Sequence, residues 1–202
     1  MKPLDPGKLS KKENYTLLTE SVIPRPIAFV TSQSADGVLN AAPFSFFNVV
    51  SADPPLIMVS IGKRGAEKKD TSRNIVETGS FVVHVTDEEN LEEMNATAAN
   101  LPPDESEVEK VGLTPVKSSA VEVPGLKEAR IRFECKLEKH LSFEGKEGAT
   151  DVIFGRIVHY HVTEDLLDAD GHVNAEKLKP ISRLGGKDYT NLGEIFSLER
   201  PK

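Results

Sequence analysis

Ile131, Phe133, Cys135 and Leu137 alternate without a break with Arg132, Glu134, Lys136 and Glu138. Successive side chains on a strand point to opposite faces, so this octet specifies a strand with one face packed and the other in water. A helical period cannot hold such a pattern on one side. Other β-rich stretches lie at residues 27–32, 38–50 (broken near Pro43), 56–61, 81–85 and 152–162. Ala35-Asp36-Gly37 offers a hairpin turn, because glycine tolerates positive φ, and Asp53-Pro54-Pro55 offers another. At least six strands joined by hairpin-length turns imply a mainly β chain. The expected architecture is an antiparallel Greek-key barrel with short peripheral helices, not a parallel βαβ sheet.

The helices announce themselves by their ends. Ser10-Lys11-Lys12-Glu13 reads as a capping box opening a helix over about 10–20. A second helix starts near Asp70-Thr71-Ser72 and stops at Gly79. Thr86-Asp87-Glu88-Glu89 reads as another capping box, with Leu91, Met94 and Ala98 on one face of the helix it opens. Pro102-Pro103 ends that helix, and a further short one runs through Val108 and Val111 to Gly112. Residues 86–112 are thus an acidic helical excursion between strands. Its 86–110 portion holds nine carboxylates and one lysine, while the whole 202-residue chain carries a net charge of −7. The remainder is therefore nearly neutral. Nothing in it resembles the broadly basic surface of a nucleic-acid binder. No linker or repeat interrupts the chain, so one domain is expected over residues 1–202. The longest apolar runs are too short to span a bilayer, and the lone Cys135 allows no intrachain disulfide. A soluble cytoplasmic protein without a membrane partner is the expectation.

Most catalytic signatures are absent: no Gly-rich phosphate loop, no G-x-G-x-x-G after a strand, no G-x-S-x-G and no H-E-x-x-H. Cys135 falls on the apolar face of its strand, where a thiol packs and does not react. His159 and His161 share one face of the last long strand. Two imidazoles at that spacing suit a metal, or are buried and hydrogen-bonded, and no third ligand stands nearby. Asp168-Ala169-Asp170-Gly171 lacks the remaining ligand positions of a calcium loop and reads as a turn. No metal is expected.

Two windows say more. Residues 61–74 place Lys63, Arg64, Lys68, Lys69 and Arg73 against Glu67 and Asp70, with Thr71 and Ser72 where a helix begins. Free N–H groups and the positive dipole end of a helix, joined by Lys and Arg, make a phosphate site. A solvated basic turn fits the same residues. Asn40-Ala41-Ala42-Pro43-Phe44-Ser45-Phe46-Phe47-Asn48 combines small residues, three phenylalanines and two hydrogen-bonding side chains. That is the composition of a pocket for a flat ligand, and equally of a barrel corner with phenylalanines in the core.

Taken in order, several pieces resemble one family. They are Pro24-Arg25-Pro26-Ile27-Ala28-Phe29-Val30-Thr31-Ser32, then Asp36-Gly37, then residues 40–47, then Asp53-Pro54-Pro55, then Lys69-Asp70-Thr71 with Asn74-Ile75. Ile181-Ser182-Arg183-Leu184-Gly185-Gly186, Tyr189 and Arg200-Pro201 follow. The set is similar to the flavin reductase-like family, whose fold is the FMN-binding split barrel. The resemblance implies a homodimer with FMN near the subunit interface. Arg64, Lys69 and Thr71 would hold the flavin phosphate, with Asp70 shaping the turn. Ala42, Pro43, Phe44, Ser45, Phe47 and Asn48 would line the ring, with Thr31 and Ser32 alongside and Arg183 and Tyr189 closing the site. It further implies hydride transfer from NADH or NADPH to the flavin, then electron transfer to an oxygenase or other acceptor. His159 and His161 would assist only if their strand face borders the flavin. A non-enzymatic FMN-binding electron carrier is the alternative.

Overall fold

The computed structural model describes residues 1–63 and 67–201. Helix α1 spans Lys11–Ser21, and its capping box forms as expected. Ser10 accepts from the Glu13 amide, and the Glu13 carboxylate accepts from the Ser10 amide. Burying little of itself, α1 leaves Tyr15, Leu17 and Leu18 exposed.

Five strands follow: β1 (Arg25–Pro26), β2 (Ala28–Gln33), β3 (Leu39–Phe44), β4 (Phe47–Ala52) and β5 (Pro55–Gly62). Gly37 turns β2 into β3 with φ of 88°. The break expected at Pro43 is not there. β3 runs through Pro43, which pairs with Phe29, and the chain bends at Ser45-Phe46 instead. An edge strand tolerates proline because one side of its ladder has no partner to lose.

Helix α2 (Asp70–Thr78) ends on left-handed Gly79 and feeds β6 (Ser80–Val85). The chain then leaves the sheet through α3 (Leu91–Ala96), α4 (Glu107–Val111), β7 (Pro115–Val116) and β8 (Gly125–Leu126). It returns as a long hairpin, β9 (Ile131–Gly145) and β10 (Gly148–Val162), before α5 (Ala175–Leu178), β11 (Ser182–Arg183) and β12 (Tyr189–Thr190). The capping box expected at residues 86–89 does not open a helix. Asp87 accepts from the amides of Glu89 and Asn90, and Asn90 Oδ1 accepts from the Asp87 amide, so a side-chain-bonded turn forms and α3 starts after it. Thr97, not Ala98, is the buried residue at the end of α3.

The main sheet is antiparallel with seven strands in the order β3-β2-β6-β9-β10-β5-β4. Its two edges, β3 and β4, are joined by only Ser45 and Phe46, so the sheet must curl until they meet: a barrel closed at a corner. Inside lie Val30, Ile57, Val59, Phe81, Val83, Cys135 and Ile153. Here Cys135 occupies the packed face, as the alternation requires, and burial pushes its thiol pKa up. Gly155 is the tight point. A Cβ there would sit 2.4 Å from Phe81 Cζ and 3.3 Å from Cys135 Cβ.

β2 is buried on both faces. Its Phe29, with Ile27 just before the strand, faces outward into a second cluster with Met94, Val108, Leu113 and Leu126, which the excursion lays over the barrel wall. Among these residues His84 is fully buried. Nε2 accepts from the Leu126 amide at 2.9 Å, so Nδ1 carries the proton and donates to Phe29 O at 2.8 Å. Burial, chiefly, lowers its pKa to about 3.

Glu134 reverses an expectation. The alternation puts it in water, yet it is 0% exposed. The 118–123 loop covers that face, and the amides of Ser119, Ala120 and Val121 all donate to the Glu134 carboxylate, as does His161 Nε2 at 2.5 Å. Desolvation raises its pKa, but these donors more than offset it and hold the carboxyl below its usual range.

Candidate functional site

The N-terminus of α2 meets β3 at one cleft of about 110 Å³, walled by Ala42, Pro43 and Phe44 on one side and by Lys69, Asp70 and Thr71 on the other. Lys69 is the extended residue before the helix (φ −67°, ψ 153°), and its side chain makes no capping hydrogen bond to the first turn. Its ammonium lies 5.7 Å from the centre of the Phe44 ring. Asp70 pairs with Arg73 at 2.6 Å, which neutralises the one carboxylate of that turn. First-turn amides, a positive dipole end and an ammonium form a donor set that suits a phosphate, while Glu107, which also lines the cleft, is bonded to Asn40 and Ala41.

Behind the cleft runs a buried polar relay. Glu107, from α4, accepts from Asn40 Nδ2 at 2.8 Å and from the Ala41 amide at 3.2 Å. That fixes the Asn40 amide with Oδ1 toward Thr71 and Ser32, whose hydroxyls donate to it at 2.8 and 3.3 Å. Burial raises the Glu107 pKa, partly countered by the Ala41 and Asn40 donors. Asn74, one turn along α2, donates to Ser32 Oγ and leaves its own Oδ1 buried without a partner. The Thr71 hydroxyl is thus committed inward, and what this residue turns toward a ligand is its backbone. Ser72 is likewise committed, donating to the buried Asp151 at 2.7 Å.

A second cleft of about 290 Å³ shares Pro43, Phe44 and Ala98 with the first. Around it stand Tyr15, Arg25, Ser45, Arg183 and Tyr189, drawn from α1, β1, the Ser45 corner, β11 and β12. Tyr189 Oη donates to Asn95 Oδ1 at 2.9 Å and accepts from Arg183, whose guanidinium lies 4.5 Å from the centre of the Tyr189 ring.

The site residues read from the sequence therefore divide. Ala42, Pro43, Phe44, Lys69, Asp70 and Thr71 converge on the first cleft, and Ser45, Arg183 and Tyr189 on the second. Arg64 lies outside the described residues. Thr31 and Ser32 are 0% exposed and bonded inward, Thr31 to Pro124 O at 2.8 Å. Phe47 packs against the barrel core, while Asn48 is exposed on β4 and bonded to the Val49 amide. The rings of His159 and His161 lie 4.7 Å apart on β10, tilted by 54°, and His161 is held by Glu134 beneath the 118–123 loop; neither lines these two clefts. Asp168 accepts from the amides of Asp170 and His172, the bonding of a turn. A larger open groove of about 610 Å³ between residues 36–39 and 104–110 is lined by four carboxylates and one lysine and opposes an anion. Glu107 and Asn95 escaped the sequence reading because the excursion that carries them has no motif. Arg25 stood in the Pro24-Arg25-Pro26 piece of the resemblance with no role assigned; its flanking prolines were the available signal.

The antiparallel barrel is the split barrel of the flavin reductase-like proteins. Residues 20–177 match the flavin reductase like domain, and the chain belongs to that family. YwrF of Bacillus subtilis (strain 168) is 55% identical over 197 residues, 96% of each chain. Among solved structures, nitrilotriacetate monooxygenase component B from Bacillus cereus superposes with a TM-score of 0.95 at 52% identity, over 98% of each chain. The 2-nitrobenzoate 2-nitroreductase NbaA of Pseudomonas fluorescens gives 0.88 at 35% identity, over 99% of this chain and 96% of that one. The expected barrel and family are thus shown, and with them flavin oxidoreduction as the general chemistry. Among the described residues no helix is long and apolar enough to cross a membrane.

Proposed function

We propose that this protein is an FMN-dependent flavin reductase that takes a hydride from NADH or NADPH and passes electrons on to an oxygenase or another acceptor. The observation that carries the reading is the N-terminus of α2, with Lys69 at its N-cap, opening on a cleft walled by Ala42, Pro43 and Phe44. The B. cereus protein of the same fold is a monooxygenase component, which supports a reductase role. When bound, the flavin supplies the two-electron chemistry. The chain binds and orients. First-turn amides and Lys69 hold the phosphate, the relay from Glu107 keeps Thr71 and the turn in place, and small residues at 41–42 let backbone approach a flat ring. Because orientation supplies the acceleration, no acid–base residue is needed beside the ring.

We infer a homodimer as well. Phe46 of the corner and Val49 and Val50 of β4 are exposed, as are Leu17 and Leu18 of α1, whose Tyr15 stacks on Phe46; a second copy would cover this apolar surface. A cytoplasmic location accords with the single, unpaired Cys135.

Absorbance of the purified protein near ~450 nm, a property of oxidised flavins, and NADH and NADPH oxidation with added FMN test the reading. Bound FMN with oxidation of one nucleotide is expected. A colourless protein that takes up no FMN overturns it; bound FMN with no oxidation of either nucleotide makes it an electron carrier.

A further inference from the structure

Arg25 and Arg183 lie directly opposite each other in the β1–β11 pair. Like charges in that position repel, and the arrangement is ordinarily selected against. Arg25 is moreover only 6% exposed. Its Nη1 donates to Thr19 O and Val22 O, its Nη2 to Leu184 O, and its Nε reaches Ser45 Oγ, all neutral acceptors. Arg183 donates to Tyr189 Oη and Gly186 O, again neutral. Among the described residues no carboxylate lies within 4.0 Å of either guanidinium. A buried charge is normally paired, and leaving one unpaired is unfavourable unless something else supplies the counter-charge. Both side chains line the same cleft of about 290 Å³.

We propose that this cleft is a second anion site, distinct from the α2 phosphate site, that takes the anionic group of a flat-ringed second substrate. Arg183, half-buried, is the contact. Arg25 is a positioning residue: it carries a fixed second charge and ties β1, α1 and the 184 backbone together. Tyr15, Phe44, Met94 and Tyr189 supply the apolar and aromatic surface for a ring, and Phe44 and Pro43 are shared with the first cleft, so a ring here lies beside whatever occupies that one. The anion is a carboxylate on the ring itself or the phosphate of a dinucleotide; the same guanidinium recognises both. The inference rests on the reading that the flavin phosphate lies at α2.

Equilibrium binding to the FMN-loaded protein tests it with two pairs of probes. Benzoate against benzamide reads a ring carboxylate. The Michaelis constant for NADH against that for 1-benzyl-1,4-dihydronicotinamide reads a dinucleotide phosphate. In at least one pair the charged member is expected to be favoured tenfold or more. Arg183→Gln should erase that preference while the neutral member and the FMN dissociation constant change less than twofold, and Arg183→Lys should restore part of it. The pair that responds identifies the source of the anion. If neither pair shows a preference that Arg183→Gln removes, or if Arg183→Gln weakens FMN itself tenfold, the proposal is overturned. In the latter case the cation serves the flavin. Lys69→Ala tests the phosphate reading separately, since its loss is read with FMN and not with these probes. Should no FMN bind, the benzoate comparison still reports on the arginines.

Discussion

Gly155→Ala should destabilise the protein while leaving its fold unchanged. The added methyl would lie 2.4 Å from Phe81 Cζ and 3.0 Å from Cε1, inside the distance that carbon atoms tolerate, and 3.3 Å from Cys135 Cβ. Phe81 is 0% exposed and cannot swing aside, because the barrel interior surrounds it. Overpacking of this kind costs about 1–3 kcal/mol. For a chain of this size each kcal/mol lowers Tm by roughly 2–4 °C, which gives a drop of about 2–12 °C. Differential scanning calorimetry and urea unfolding both read it. Phe81→Leu removes the ring atoms that the methyl meets, so Gly155→Ala combined with Phe81→Leu should be more stable than the two single losses predict, by about 0.5–3 kcal/mol. A Gly155→Ala protein within half a kcal/mol of the parent, or a strictly additive double variant, would refute this account of the core.

Other consequences can be measured as directly. Lys69→Ala should weaken FMN about tenfold, near ~1.4 kcal/mol, and leave riboflavin, which has no phosphate, unaffected in fluorescence titration. Glu107→Ala strands Asn40 Nδ2 and the Ala41 amide; a loss of about 1–3 kcal/mol in urea unfolding is expected, with weaker FMN binding as Thr71 loses its brace. His84 is neutral when folded, with a pKa near 3, and titrates near ~6.5 when unfolded, so the unfolded state binds the extra proton between those values. Stability should therefore fall as pH drops below about 6.5. His84→Gln should flatten that slope by up to about 1.4 kcal/mol per pH unit; an unchanged slope would show that His84 does not set it. Cys135 should resist thiol reagents in the native protein and label only on unfolding; rapid native labelling would contradict its burial.

Where neighbouring residues set a feature, the sequence showed it. The Ser10–Glu13 box, the Gly79 and Gly112 stops and the packed face of Cys135 all follow from local pattern. Local pattern failed wherever a distant segment intervened. Glu134 looked solvated because nothing in its strand announces that the 118–123 loop will bring three amides to it. The box at 86–89 was displaced by two side chains, Asp87 and Asn90, bonding the turn themselves. Barrel closure was inferred from strand count, but its cause is the two-residue corner at Ser45-Phe46. At the site, Lys69 and the small residues near Ala42 were legible as composition. The inward commitment of the Thr71 hydroxyl was not, because it depends on Glu107, which is far from it in sequence.

β6 and β9 are adjacent in the barrel, yet the chain between them, residues 86–130, travels out and back to rejoin the sheet in register. The closure entropy of such a detour grows only slowly with length. Length can therefore vary where this stretch meets solvent, but not at Glu107, the 119–121 amides or Leu126, whose bonds satisfy Ala41, Glu134 and His84 of the barrel strands. Residues 97–100 and Glu107 of the same stretch border the Lys69 cleft. The same detour thus does two jobs: it seals the barrel wall at fixed points and supplies one rim of the cleft between them.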